Sequence, residues 1–427
     1  MTSTRTRRTT VAAAAVLLSA AVGCAGADPH GAAPPPGAPG PAAADPRPSS
    51  AGPATSPARP AGPVEPGGPA QPPGPAGGPP AAPRPFTVAA TGDVLPHASI
   101  IRQAQADAGG DGYDFRPMLA GVKPVISGAD LALCHMETVY GKDSGPFTGY
   151  PSFKSPPQIA AALAATGYDS CSTASNHTLD DGADGLARTL DAFDKAGVRH
   201  AGSARTAEEA RRPVLLKAGG ATVAHLAYTY AINGDRVLEG RPWAVNIMDE
   251  AKIVEDSRAA RAAGADVVVV SIHWGTEWET EPDVDQRDLG HNLTASTDDD
   301  GLRDIDLIVG THAHVPQAYE KVNGAWIVYG MGDQIAGDMI NTDGAFDPRG
   351  NQGTIGRFTF TPPAPGGERW SVSRAEFIPQ WFNTGTGRVT DVNAAIRRGE
   401  KLTDVRDRIR EVVLSRGGAA DGLTMPQ

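Results

Sequence analysis

Two histidines separated by one residue, His312 and His314, stand directly after a short apolar segment. Residues 307–309 are expected to form a buried strand that ends at Gly310. In an extended segment, side chains two residues apart point to the same side, so both imidazoles can reach one point. Neutral imidazole nitrogen is a good ligand for Zn, Mn, Fe or Ni. A His-x-His pair alone is more often solvated or structural, so the metal interpretation depends on the other strand ends.

Four more predicted strands end in residues that can bind a metal ion: Asp93, Glu137, Asn176 with His177, and His273. The chain has only 10 histidines, so this recurrence is hard to attribute to chance. Carboxylate, amide and imidazole groups in this mixture suit a dinuclear site, in which one carboxylate bridges two ions about 3.5–4 Å apart. Such a pair lowers the pKa of a bound water and polarises a phosphoryl or acyl oxygen. The pattern predicts a hydrolytic metal centre.

The elements that must position these residues alternate between strands and helices. The apolar run at 266–270 predicts a strand buried on both faces, as in the interior of an α/β sheet. Ligands at strand ends then lie at the sheet edge where α/β sites usually form. We expect strands at 86–93, 130–137, 168–177, 266–275 and 325–333, outer strands at 358–360 and 372–377, a hairpin at 214–228, and helices at 156–167, 185–196, 252–263, 285–293 and 391–416.

Cys134 and Cys171 lie on two of the predicted strands, just upstream of candidate ligands. In an exported protein they could pair as a disulfide. Two buried thiols are an equally good interpretation, and two cysteines do not make a disulfide scaffold.

The first 24 residues have the features of an export signal. Arg5, Arg7 and Arg8 precede an apolar run at 11–22, which is too short for a stable transmembrane helix. The following residues 21–24, Ala-Val-Gly-Cys, resemble a bacterial lipobox, in which Cys24 becomes the acylated first residue of the mature protein. The alternative is an ordinary secretory signal that contains a cysteine.

The composition changes again after residue 85. Residues 25–85 hold more than half of the chain's 38 prolines and few large apolar residues, which predicts an extended tether. The folded part then comprises an α/β domain at 86–385 and a helical tail at 386–427. A net charge of −11 argues against nucleic acid as a partner, because phosphate binding needs clustered Lys and Arg.

The order of the candidate ligands resembles that of the calcineurin-like metallophosphatases, and the finer motifs resemble the CapA branch, which is named for poly-γ-glutamate capsule biosynthesis. The motifs are Thr91-Gly92-Asp93-Val94, Met136-Glu137-Thr138, the segment 174–182 around Asn176-His177, His273-Trp274-Gly275-Thr276-Glu277-Trp278, and His312-Ala313-His314-Val315-Pro316-Gln317. They cover about 86–336. The resemblance implies a four-layer α/β/β/α sandwich with metals at the strand ends.

The resemblance also implies a role for each matched residue. Glu137 corresponds to the bridging carboxylate; Asp93 and His314 would hold one ion, and Asn176, His273 and His312 the other. The two divalent ions would be Mn, Zn or Fe. His177 would be the group that protonates a leaving group or steadies a developing negative charge, and we assign Asp180 of the same motif to catalysis with it.

Two departures from the family pattern stand out. Phosphatases of this class usually carry a histidine two residues after the first aspartate, and Leu95 occupies that position here. The first ion would therefore be poor in ligands unless His97 or His135 contributes. A turn that usually contains Gly-Asn contains Gly332-Asp333 here, and this extra acid could either repel an anionic substrate or reach a metal.

Four residues are expected to contact substrate. Lys154 precedes a proline where the family often carries a basic residue, and it could anchor a carboxylate or phosphate; a solvated lysine is the alternative. Glu277 and Trp278 follow a ligand and are placed at the rim of the site, with Trp278 either a substrate-packing surface or plain core. Gln317 closes the last motif and is the fourth.

These observations predict a lipid-anchored protein on the outer face of a bacterial membrane that acts on an anionic envelope polymer, poly-γ-glutamate or another. Metal-dependent hydrolysis of a phosphoester or an amide is the expected chemistry. The alternatives are an accessory part in polymer synthesis, export or anchoring, alongside membrane subunits of a capsule synthase, and a binding lipoprotein without turnover. Fold alone does not separate them.

Overall fold

A computed structural model describes residues 82–427 except 235–237, 365 and 368. The predicted export signal with Cys24 lies outside the described residues, as does nearly all of the predicted tether. Among the residues that are described, no helix is long and apolar enough to cross a membrane.

The chain alternates strands and helices as predicted, but the single strand expected at 325–333 is wrong, because Ala325–Val328 and Asp333–Ala336 are separate strands in different sheets. The strands are β1 Phe86–Leu95, β2 Leu131–Met136, β3 Ser170–Ser172, β4 Arg199–Ala201, β5 Val214–Ala218, β6 Ala221–Thr229, β7 Val267–His273, β8 Leu307–Thr311, β9 Tyr319–Val322, β10 Ala325–Val328, β11 Asp333–Ala336, β12 Gln352–Thr361, β13 Ser371–Asn383, β14 Arg388–Asp391 and β15 Leu423–Thr424. The helices are α1 Ala98–Asp107, α2 Arg116–Leu119, α3 Lys123–Ile126, α4 Gln158–Thr166, α5 Gly182–Ala196, α6 Ala207–Ala210, α7 Glu250–Ala262, α8 Val284–Ala295, α9 Val392–Arg397 and α10 Thr403–Val413, with a 3-10 turn at Pro348–Asn351.

The strands form two sheets. The first has the order β14-β13-β12-β1-β2-β3-β4, with β11 beside the end of β1 and β15 beside β13; the second has the order β5-β6-β7-β8-β10-β9. In the first sheet β1, β2 and β3 run parallel, and in the second β6, β7 and β8 run parallel. The carboxyl ends of each trio therefore meet at one edge of their sheet.

Strand β7 illustrates how the layers are built. Val267 and Val269 pack into the core between the two sheets, whereas Val268 and Val270 pack against helices α7 and α8. This alternation follows from the two-residue period of a strand. All four side chains are fully buried, and each contributes roughly 1.5–3 kcal/mol of hydrophobic stabilisation.

A third core covers the other face of the first sheet. Ala132 and Cys134 of β2 pack there with Leu163 of α4 and Phe193 of α5. With the core between the sheets and the core under α7 and α8, the order of layers is helix, sheet, sheet, helix. The predicted α/β/β/α metallophosphatase-like sandwich is confirmed.

The helix boundaries follow their local chemistry. Gly167 and Gly197 adopt left-handed conformations at the ends of α4 and α5, where a glycine relieves the strain of a positive φ. Asp249 caps α7, and Asp283 with Gln286 forms a capping box on α8. The predicted helices at 156–167, 185–196, 252–263 and 285–293 match α4, α5, α7 and α8.

The end of the chain differs from the prediction. The single helix expected over 391–416 is wrong, because α9 and α10 are separated by a turn in which Gly399 has a φ of +95°. Strands β14 and β15 also pair with β13, so the segment from residue 386 contributes to the first sheet.

The two cysteines pair. Cys134 of β2 and Cys171 of β3 lie opposite each other in the parallel ladder, with a Cα–Cα distance of 4.4 Å, and form a disulfide. Of the two interpretations that the sequence allows, the disulfide is the one found.

Candidate metal centre

Five strands bring the predicted ligands to one edge of the sandwich. Asp93 lies near the end of β1 and Glu137 directly follows β2, while His273 is the last residue of β7. His312 and His314 follow β8, and Asn176 comes four residues after β3. Both sheets therefore contribute to one cluster, as their parallel carboxyl ends require.

His273 lies at the centre of the cluster. Its Nε2 is 3.0 Å from Asn176 Oδ1 and 4.0 Å from Glu137 Oε1. Its Nδ1 is 3.8 Å from Asp93 Oδ1, and its ring centroid is 4.6 Å from that of His312. The structure thus brings these five predicted ligands within contact distance.

The two histidines after β8 are positioned by a turn. His312 has a φ of 94° and His314 a φ of 58°, so the expected extended segment is wrong at these positions. Non-glycine residues rarely adopt positive φ, and such conformations cluster at functional sites. The backbone N–H of His312 donates to Asp93 Oδ2 at 3.2 Å, and His314 Nδ1 lies 3.0 Å from Asp333 Oδ1.

The donor atoms fall into overlapping groups that extend beyond the predicted set. Among the described residues, groups of three whose donor atoms lie within 4.8 Å of one another are Asp93 with His135 and His273, Asp93 with His314 and Asp333, and Glu277 with His312 and His314. Asp93 and His314 each belong to two groups. His135, Glu277 and Asp333 are therefore additional candidate ligands.

The cluster has donor atoms that no group in the described part of the chain satisfies. The buried atoms without a hydrogen-bond partner include Asp93 Oδ1, His135 Nε2, both carboxylate oxygens of Glu137, His312 Nδ1 and Asp333 Oδ2. Buried polar atoms are nearly always paired, and leaving one unpaired costs about 1–3 kcal/mol. All six are atoms that ligate divalent metals, and all but the two of Glu137 belong to residues of the donor groups above. The residues present fit a metal centre.

The buried carboxylates also indicate a metal centre. Asp93, Glu137 and Asp333 are at most 1% exposed, and the described ion pairs of all three are with histidines. Burial, followed by the neighbouring Asp333, raises the pKa of Asp93 to about 8, and burial raises the pKa of Glu137 well above its usual value. Burial raises the pKa of Asp333 to about 6.

The histidines are perturbed as well. Burial lowers the pKa of His135 to about 3 and holds the pKa of His273 and His312 well below its usual value. Burial would also lower the pKa of His314, but the carboxylates of Asp333 and Glu137 outweigh it and raise that pKa well above 6.5. A divalent cation binds deprotonated carboxylates and neutral imidazoles, so it would favour the ligating form of both kinds of residue.

His177 and Asp180 form a pair beside the cluster. His177 Nδ1 donates to Asp180 Oδ2 at 2.7 Å, and His177 Nε2 lies 3.4 Å from Asn233 Nδ2. Asp180 Oδ2 also accepts the backbone N–H of Phe153 at 2.6 Å, so the carboxylate is held on two sides. The geometry is that of a histidine oriented by an acid.

Two residues of the loop after β6 belong to the site and were missed in the sequence. The Asn233 side chain lies 3.4 Å from Asn176 Nδ2 through its Oδ1 and 3.3 Å from His177 Nδ1 through its Nδ2. Tyr230 packs its ring 4.5 Å from that of His312 and remains 39% exposed. Thr229 pairs in register with His273, which brings the end of β6 to the site, and this register is not visible in the sequence.

Two of the four residues predicted to contact substrate are buried. Gln317 is fully buried, donates from Nε2 to the carbonyl of Glu279 and accepts from Gln286 Nε2, both at 2.9 Å, so it is structural and the prediction of substrate contact is wrong. Trp278 is only 7% exposed and packs with Ala313, which is the core alternative rather than the rim.

The other two, Lys154 and Glu277, are partly exposed. Lys154 Nζ lies 3.4 Å from Asp181 Oδ1, and about a third of its side chain is exposed. Its role as a substrate anchor stays a prediction. Glu277 is partly exposed and belongs to a donor group with two histidines, so it lies closer to the metal ligands than the predicted rim position.

Comparison with known proteins identifies related sequences. A family model described as "Bacterial capsule synthesis protein PGA_cap" matches residues 87–338. The chain is 29% identical to the capsule biosynthesis protein CapA of Bacillus anthracis, over 42% of each chain, and 32% identical to the PGA biosynthesis protein CapA of Bacillus subtilis, over 38% of this chain and 41% of that one. A protein of Mycobacterium tuberculosis named a probable polyglutamine synthesis accessory protein is 29% identical, over 56% of this chain and 63% of that one. The chain thus spans less than two thirds of each of these relatives.

Solved structures also resemble the chain at low identity. A calcineurin-like phosphoesterase from Bacillus subtilis aligns with a TM-score of 0.40 at 15% identity, covering 77% of this chain and 99% of that one. The NAD nucleotidase of Haemophilus influenzae aligns with a TM-score of 0.41 at 14% identity, covering 80% and 64%.

Proposed function

The chain belongs to the bacterial capsule synthesis protein family PGA_cap, and from this membership and the donor cluster we propose that it hydrolyses a phosphoester or amide bond with divalent metal ions, in the metabolism of an anionic envelope polymer. Poly-γ-glutamate is the first polymer to test, because the Bacillus subtilis relative is named for PGA biosynthesis.

The observation that carries the proposal is the set of buried, unpartnered donor atoms where the two sheets meet. A binding protein for a large polymer needs no such set, because ligands of that size are held by exposed grooves and charged surfaces. Three buried carboxylates beside four histidines destabilise a fold unless a cation is bound. A catalytic function would explain why residues that destabilise the fold are retained.

Each residue has a distinct task in this proposal. A bound pair of divalent ions supplies Lewis acidity and a water of lowered pKa. Asp93, Glu137 and the cluster histidines hold the ions, and Asn176 adds an amide oxygen. His177 holds a proton at Nε2, oriented by Asp180, and delivers it to the leaving group. The expected contribution of such a general acid is about 10²–10⁴ in rate.

Turnover by the metal-loaded full chain tests the proposal. Phosphoesters and γ-glutamyl amides are offered to the wild type, to His177→Asn and to the control His291→Asn, which changes a half-exposed histidine of α8. We expect hydrolysis of at least one class, a loss of about 10²-fold or more for His177→Asn with metal content unchanged, and no loss for the control. Equal rates in all three proteins would refute the role of His177.

A second function has one observation in its favour. The Mycobacterium tuberculosis relative carries the name of a synthesis accessory protein rather than of a hydrolase. An accessory protein would bind polymer and membrane subunits of a synthase without turnover. Polymer binding that survives in His177→Asn, together with no hydrolysis by the wild type, would favour this function over the first.

We further propose that Cys24 carries a lipid and anchors the protein to the outer face of the bacterial cell membrane. The support is the lipobox-like sequence at residues 21–24 and the basic and apolar residues before it. The polymer would then meet the site outside the cell.

A further inference from the structure

Asp333 lies beside Asp93 on a neighbouring strand. The short strand β11 runs parallel to β1, and the register places Asp333 directly opposite Asp93. Residues in register on adjacent strands project from the same face of a sheet, so the two carboxylates are neighbours by construction. Both residues are at most 1% exposed.

Two buried carboxylates side by side repel each other unless a cation or a shared proton lies between them. Asp333 Oδ1 is 3.0 Å from His314 Nδ1, which accounts for one oxygen. The other oxygen, Oδ2, has no partner among the described residues, and neither does Oδ1 of Asp93. If Asp333 served only to orient His314, these two oxygens would be left with at most one shared proton between them.

The position at which this family usually carries a histidine ligand is next to this pair. Leu95, at the site of the usual histidine, is buried in an apolar cluster with Phe153 and Val315 and supplies no ligand. His97, a possible substitute, accepts the backbone N–H of Gly337 at its Nδ1 and lies outside the donor groups of the described residues. Asp333 is inside one of those groups, with Asp93 and His314.

We propose that Asp333 is a metal ligand that replaces the missing histidine, and that Asp93, Asp333 and His314 form an oxygen-rich cation position suited to Mn²⁺. Carboxylate oxygen favours Mg²⁺ and Mn²⁺, whereas imidazole favours Zn²⁺ and iron. The second position, around His273 and His312, is richer in nitrogen and would keep Zn²⁺. This inference rests on the proposed metal centre. It adds that the two positions hold different metal ions.

Equilibrium binding of Mn²⁺, read from the electron paramagnetic resonance of free Mn²⁺, tests the assignment. The proteins are the full-length wild type, Asp333→Asn, and Asp338→Asn, which makes the same chemical change at an exposed residue five positions along the chain. All three are first loaded with one equivalent of Zn²⁺. We expect Asp333→Asn to bind Mn²⁺ more than about 100-fold more weakly than the other two, with Zn²⁺ retained, because loss of an outer-shell partner alone costs about 10–100-fold.

Thermal unfolding of the metal-free proteins guards against a folding defect. Asn keeps the size of Asp and removes the repulsion with Asp93, so Asp333→Asn is expected to unfold at the same or a higher temperature than the wild type. Asp333→Glu, which retains a carboxylate, is expected to recover part of the Mn²⁺ affinity.

Three results would overturn the inference. A loss of Mn²⁺ affinity of about 100-fold or less in Asp333→Asn would reduce Asp333 to a partner of His314 and leave the proposed function standing. Equal weakening in Asp338→Asn would assign the effect to net charge. A wild type that binds neither Mn²⁺ nor Zn²⁺ would overturn the proposed function together with this inference.

Discussion

The acids of the centre are held in an environment that penalises their charge. Glu137 has both oxygens buried and unpartnered, and its pKa is raised well above the usual value by burial. A folded acid with a raised pKa binds more protons than the unfolded chain, so its cost to stability grows as the pH rises above its usual pKa.

Replacing Glu137 by Gln removes that cost. We expect metal-free Glu137→Gln to be more stable than the wild type at pH 8, by about 0.5–2 kcal/mol, and the gain to vanish near pH 4, because Glu137 is then protonated in both states. Urea unfolding in the presence of a chelator measures the difference. A destabilised variant at pH 8 would contradict the account of Glu137 as an acid retained for function.

His225 gives the opposite pH dependence between the sheets. It is fully buried, its Nδ1 lies 2.8 Å from Ser170 Oγ and its Nε2 2.9 Å from Ser271 Oγ, and burial lowers its pKa to about 4. Below the unfolded pKa of about 6.5, unfolding takes up a proton that the folded state does not bind. Stability is then lost as the pH falls from about 6.5 to about 4.

The size of this loss is a prediction. At 1.36 kcal/mol per pKa unit, His225 accounts for about 3 kcal/mol between pH 7 and pH 4. In chelator, His225→Gln is expected to show a flatter pH profile of unfolding free energy than the wild type. Parallel profiles for the two proteins would show that His225 is not responsible.

At the scale of elements, the strand ends were the most predictable feature of the chain. Asp93, Glu137, His273 and the β8 histidines follow apolar runs, and a run that ends in a polar residue fixes both the strand and the edge at which that residue lies. Glycines with positive φ after α4 and α5 likewise mark helix ends in the sequence.

The features that the sequence could not fix depend on contacts between distant segments. Asp333 begins β11, and its neighbour Asp93 is 240 positions earlier, so their register is visible only in the folded sheet. Gln317 and Trp278 follow ligands as substrate-binding residues would, but burial under other segments makes them structural. The positive φ of His312 and His314 also depends on tertiary packing.

The disulfide joins the two strands that lead into the site. Cys134 and Cys171 are separated by 37 positions, and in the loop-entropy account closing a loop of that length stabilises the fold by about 3–4 kcal/mol. We expect the unfolding free energy of Cys134→Ala/Cys171→Ala, measured by urea unfolding, to be lower than that of the oxidised wild type by that amount. Unchanged stability would mean that the cross-link contributes nothing to the fold.

At the scale of the whole molecule, the sandwich places one site at the edge where both sheets end. The core between the sheets fixes their relative position, and the candidate metal ligands are divided between them. Binding of metal should therefore tie the sheets together as well as activate the site.

The proposed lipid anchor determines where the whole molecule is held. Cys24→Ser removes the thiol that would be acylated, so the variant is expected to leave the membrane fraction and appear in the medium or as unprocessed precursor. Labelling of cells with radioactive palmitate, followed by fractionation, measures both effects, and Cys134→Ala/Cys171→Ala serves as the cysteine control. Membrane association that persists in Cys24→Ser without label would contradict the anchor.

The central claim is that the two sheets meet at a centre for divalent metal ions. Metal content of the full chain, purified without chelator, tests it most directly, with His312→Ala as the ligand variant and His291→Ala as the histidine control. We predict about two ions per chain in the wild type and the control, and loss of at least one ion in His312→Ala. A wild type that carries no Mn, Zn or Fe even after these metals are supplied would contradict the account, as would a His312→Ala protein with its full complement.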